Sequence, residues 1–172
     1  MFTLHKKGFT IIEVALVLAV AGMIMLAVFL ALPAVQRTER DSERQEDLAE
    51  IINAIKGYQS NNRGALPGTE VGQWQAFYGK YLPNLTEPNG QKYFENLQVI
   101  TCESATSTPC SGASNGAPIS TFMNKDFDGN NYGMIVVIKA TCDGNNPVGS
   151  ANGRKVALLY TLEAGGTICK NS

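Results

Sequence analysis

A single histidine, His5, is the only imidazole in the 172 residues, and it stands in the short stretch ahead of the first apolar run. The rest of the chain therefore has no material for a Ser-His pair or a His-ligated metal. Cys-x-x-Cys is absent too, so Cys102, Cys110, Cys142 and Cys169 do not show zinc-ligand spacing. Fourteen Lys and Arg face fifteen Asp and Glu, a formal net charge of −1. With no basic surplus, the default reading includes no nucleic-acid partner. Asp126 with Asp128 is a carboxylate pair, but it lies in a turn with no legible apolar pocket, so no catalytic role is assigned and the chain is read as not an enzyme.

Charge is also missing after Glu13. Residues 14–35 are 22 uncharged positions, the next charge being Arg37. At helical rise this run reaches roughly 33 Å, enough to cross a bilayer. A secretory signal has an apolar part of about 7–15 residues ending at a small-residue cleavage site. Here the run is longer, and the small-residue break, Gly8, precedes it. Lys6 and Lys7 before the span are a cleaner positive-inside signal than Arg37, Arg40 and Arg44, which are mixed with acids. The N-terminus is expected inside and the body outside.

The junction Lys6-Lys7-Gly8-Phe9-Thr10-Ile11-Ile12-Glu13-Val14 closely resembles the class III signal of type IV prepilins and their pseudopilin relatives. The resemblance implies that a membrane prepilin peptidase cuts between Gly8 and Phe9 on the cytoplasmic side and methylates the new amino group of Phe9. His5, Lys6 and Lys7 leave with the leader, and the side-chain charge falls to −3. It further implies that Glu13 pairs with the Phe9 amine of a neighbouring copy during assembly. A carboxylate at the centre of a membrane helix costs about 2.5–3.5 kcal/mol and less near an interface, so Glu13 at the edge carries a milder penalty. The pair that the resemblance implies would act as a register device.

The domains expected are a leader at 1–8, a transmembrane and filament-core segment at 9–35, and a soluble head at 36–172. The implied partners are other copies of the chain in a helical homopolymer, prepilin peptidase, the pilus assembly platform and minor pilins. Before assembly the chain is a single-pass precursor in the cytoplasmic membrane; afterwards it is in an extracellular pilus. The alternative is a pseudopilin of a type II secretion system or a competence pilin. A different class, a membrane-anchored binding module, would use the exposed Ser-, Thr-, Gly- and Pro-rich loop at 102–120.

The expected fold class is α+β, a type IV pilin fold with one long N-terminal helix, transmembrane and then amphipathic, packed on a small antiparallel β-sheet. The helix is predicted from about Phe9 to about Ser60, with local melting or a kink near Gly22 and Pro33. Leu48, Ile51, Ile52 and Ile55 form the core stripe. The charge-rich stretch 37–50 is read as a solvated or subunit-facing helix surface rather than a partner-binding patch, and Asn61-Asn62-Arg63-Gly64 as the stop. A short helix or turn is predicted over 73–82, its Trp74, Phe77, Tyr78 and Tyr81 packing against the long helix rather than forming a ligand platform. Strands are predicted over 93–101, 132–141 and 155–162, with a possible fourth. The continuous apolar run Met134-Ile135-Val136-Val137-Ile138 marks a buried one. Asn84-Leu85-Thr86 matches a glycosylation sequon and carries no inference.

Four exported cysteines allow three pairings. Cys102 with Cys110 is favoured because it closes a short Ser/Thr/Pro loop, and Cys142 with Cys169 because it ties the chain end to a strand. Pilins often close their C-terminal region in this way. Asp126, Asp128 and Asn130 alternate like the start of a calcium loop, but Asn131 and Val137 stand where an EF-hand needs glycine and glutamate. Some major type II pseudopilins bind calcium in an Asp- and Asn-rich turn that this region resembles, so calcium is retained as a candidate ligand there.

Overall fold

The structure, a computed structural model, describes residues 8–95, 97–103, 110 and 133–172. Contacts divide the chain after Glu39 into two compact units. Helix α1 (Ile11–Asn61) begins in the first unit and ends in the second. Its apolar side chains in the first unit are exposed, from Leu32 at 45% to Ile11 at 91%. It is the one helix among the described residues long and apolar enough to cross a membrane.

The helix is continuous through Gly22 and Pro33, where the sequence predicts melting or a kink. Pro33 cannot donate to the Phe29 carbonyl. One missing bond does not end a helix already nucleated on both sides.

In the second unit, Leu48, Ile51, Ile52 and Ile55 of α1 are buried, as their spacing requires. The helix stops where predicted. Arg63 takes a left-handed φ of 56°, Gly64 follows at 82°, and the Gly64 N–H closes back on the Gln59 carbonyl at 2.7 Å. That 6→1 bond is the hallmark of a Schellman stop. Helix α2 (Val71–Tyr81) starts on a capping arrangement in which the Gln73 side-chain oxygen accepts the Glu70 and Thr69 N–H groups. Its Trp74, Phe77 and Tyr78 are buried, and Phe77 meets Tyr58 of α1 edge-on at 5.4 Å. Trp74, Phe77 and Tyr78 are therefore core, whereas Tyr81 is exposed and stacks on Phe77 at 5.0 Å.

The strands are β1 (Leu97–Thr101), β2 (Met134–Ile138), β3 (Ala140–Asp143), β4 (Asn146–Gly149), β5 (Val156–Thr161) and β6 (Thr167–Asn171). The main sheet has the order β1-β2-β5-β6, and β3 with β4 forms a separate hairpin. Pairing is antiparallel across β2, β5 and β6, while β1 joins β2 in parallel, Leu97 opposite Met134. Residues 102–133 connect β1 to β2, far more than the dozen or so that a parallel return needs.

Both faces of this sheet are covered. Met134, Val136, Ile138, Leu158 and Tyr160 share one core with α1 and α2. Ile135, Val137, Ala157 and Leu159 belong to a second core with Ile100, Ala140 and all four cysteines. Alternate residues of β2 thus point to two apolar environments, which is why its sequence shows no alternation.

The charged stretch departs from expectation. Glu39, Glu43, Glu46 and Glu50 are exposed, but Asp41 and Arg44 are buried at 5% and 0%. Arg44 reaches Asp41 at 2.9 Å and Glu163 at 2.5 Å. Asp41 accepts the backbone N–H groups of Glu163 and Ala164, both at 2.9 Å, and Arg40 grips Glu163 from the other side at 2.6 Å. The β5–β6 turn is thereby fastened to α1 by charge-assisted bonds. Burial works against the Arg44 charge, but the Glu163 hydrogen bond and the field of Tyr160 and Glu163 outweigh it and raise its pKa. One turn further along, Asp47 accepts the Tyr93 hydroxyl at 2.5 Å; burial first, and then this bond, pushes that phenol up.

Candidate functional site

Gly8 and Phe9 precede the helix in non-helical backbone, and both are exposed, Phe9 at 89%. Among the described residues no side chain packs against Gly8: a Cβ built there has nothing within 4 Å.

Thr10 and Glu13 form the start of α1. The Glu13 carboxylate accepts the Thr10 backbone N–H at 3.0 Å and its hydroxyl at 2.8 Å, while the Glu13 N–H donates to the Thr10 hydroxyl at 3.3 Å. This is a capping box, Ser/Thr followed three residues later by Glu, satisfying two otherwise orphaned donors of the first turn. Thr10 is the residue that the sequence reading passed over. Its signal was present, because Thr10-Ile11-Ile12-Glu13 before an apolar run is the sequence pattern of that cap. Glu13 therefore has a partner inside its own chain, close to the residue that cleavage would make the new terminus.

At the other end of the chain the two bridges are Cys102–Cys110, with Cα atoms 5.3 Å apart, and Cys142–Cys169, at 5.7 Å. Cys142 lies on β3 and Cys169 on β6, so the second bridge ties the hairpin to the main sheet. Asp126, Asp128 and Asn130 lie outside the described residues, as does most of the loop at 102–120. Among the described residues no cluster of three or more His, Cys, Asp or Glu is placed to hold a metal ion.

Residues 3–29 match the family model of the prokaryotic N-terminal methylation motif. No curated protein and no solved structure matches the chain. The matched segment takes in Gly8, Phe9, the Thr10–Glu13 cap and most of the exposed apolar helix. Residues 3–29 thus carry a class III signal peptide, which is consistent with a type IV pilin-like protein.

Proposed function

We propose that this chain is a structural subunit, cut between Gly8 and Phe9 by prepilin peptidase, methylated on Phe9, and polymerised through its N-terminal helix into a type IV pilus. The observation that carries the reading is the methylation motif at residues 3–29 on a helix whose apolar surface is unburied within the chain. An exposed apolar face of that extent needs another apolar environment. Lipid supplies it for the single-pass precursor, with residues 1–8 inside and the head, residues 36–172, outside. In the filament the same face, residues 9–35, packs against other copies. The assembly platform and minor pilins are the further partners of this reading.

Glu13 is the assembly contact, pairing with the methylated Phe9 amine of a neighbour. Glu13→Ala is expected to insert and be processed yet yield no filament; normal filaments from that variant would overturn the assignment. A pseudopilin or competence pilin is built alike. Sheared surface filaments containing the chain favour a pilus, whereas loss of protein export without visible filaments favours a pseudopilin.

A further inference from the structure

The head carries a basic groove that the reading above does not use. It lies where α1 stops, has a volume of ≈ 530 Å³, and is lined by Lys56, Arg63, Arg154 and Lys155 together with Gln59 and Asn152 among others. No acidic side chain is among its lining residues. The groove is held in shape by the backbone. The Gln59 side-chain amide donates to the Arg154 carbonyl at 2.6 Å, and the Arg154 N–H donates to Asn152 Oδ1 at 3.0 Å. The Lys155 ammonium donates to the main-chain oxygen of Ser172, the last residue of the sequence and part of the groove lining, at 2.7 Å. Among the described residues no Asp or Glu carboxylate forms an ion pair with any of the four cations. In a chain with a net charge of −1, this is a local concentration of one sign.

The complementary surface is on the same helix. Glu43, Glu46 and Glu50 follow one another at helical spacing on the side away from the Leu48, Ile51, Ile52 and Ile55 core, and all three are exposed. Among the described residues these carboxylates also have no ion-pair partner, whereas Asp41, Glu87 and Glu163 are engaged with Arg40 or Arg44.

We propose that the groove receives the Glu43, Glu46 and Glu50 face of a second copy of this chain. The inference rests on the polymerisation reading and names the contact between heads. The two surfaces are separated along α1 by about 13 residues between their midpoints, or about 20 Å, and are turned roughly 100° apart around the helix. Parallel copies can engage only by stepping along the axis by about that distance. Such a contact is heterologous and does not close, so each copy keeps one surface free for the next.

The test uses the full-length chain in cells that process it. Zero-length carbodiimide coupling, which joins a carboxylate to a lysine amine, is expected to give a ladder of linked copies with Glu43, Glu46 or Glu50 joined to Lys56 or Lys155. Reversing the acids (E43K, E46K and E50K together) or the groove (K56E with R154E) should lower ladder and filament yield at least about tenfold through like-charge contact. Combining both sets should restore them. All variants should still show a methylated Phe9, which controls for insertion and processing, and recovery in the combined variant controls for folding of the head. A ladder whose linked peptides leave out the groove lysines, or groove reversal that acid reversal cannot rescue, as a free anion or nucleic acid in the groove would give, overturns the docking and leaves polymerisation standing. No ladder and no methylated Phe9 in the unaltered chain overturns both.

Discussion

Arg44 Nη2 and Glu163 Oε1 lie 2.5 Å apart, joining α1 to the β5–β6 turn across 119 residues of sequence. Arg44 is fully buried, with Asp41 and Glu163 as its close anionic partners and Glu87 at 4.0 Å. Removing one member of a buried ionic group leaves the others uncompensated, and Arg44→Ala is expected to cost about 3–5 kcal/mol. Glu43→Ala, in the same charged stretch but exposed, should stay within about 0.5 kcal/mol. Denaturant unfolding of the detergent-solubilised full chain compares the two; equal midpoints would contradict the account.

Acid should loosen the same junction. The Arg40 hydrogen bond, with that of Arg44 and against the opposing effect of burial, pulls the Glu163 carboxyl from its ordinary 4.5 down to about 2. A carboxyl whose folded pKa is depressed adds stability that is present above about pH 4.5 and is lost as pH falls toward 2. Solvent around the partly exposed Arg40 screens the pair, so the contribution is below the about 3 kcal/mol that a drop of that size corresponds to. Glu163→Gln should lower stability at neutral pH and flatten the decline between pH 5 and 2, as followed by unfolding midpoints across that range.

The two bridges should differ in weight. Cys142–Cys169 spans 27 residues and Cys102–Cys110 only 8. Loop closure gives about 3.5 kcal/mol for the first and about 2.5 kcal/mol for the second. Paired Cys→Ser variants, unfolded side by side, are expected to keep that order; the reverse order would show that the core around Cys102 and Cys110 matters more than chain constraint.

The Thr10–Glu13 cap separates two duties of one side chain. Glutamine also serves at the third position of a capping box, so Glu13→Gln keeps the helix start while removing the charge. If assembly needs a carboxylate facing the neighbour's amine, this variant is processed but builds no filament. Filaments at the unaltered level would assign Glu13 to capping alone.

How much was legible follows from where each partner lies in sequence. The junction, the apolar helix and its stop at Arg63 and Gly64 depend on neighbours within a turn or two, and local pattern carries them. The Met134–Ile138 strand was visible because both of its faces are covered, leaving an unbroken apolar run. Asp41 and Arg44 were read as surface, since the Glu163 that makes their burial affordable is more than a hundred residues away. The β6 strand, Thr-Ile-Cys-Lys-Asn, is an edge with few apolar residues and gave little signal. The parallel placement of β1 depends on a long connection whose route no local pattern encodes. Thr10 is legible as the first residue of Thr-x-x-Glu, since its partner Glu13 lies within one turn.

Mass spectrometry of the mature N-terminus, from cells that make the full chain and its peptidase, tests the central claim most directly. The account predicts a chain beginning at Phe9 and carrying a methyl group on its amine, with residues 1–8 gone. A chain that retains Met1, or one cut anywhere other than after Gly8, would contradict it.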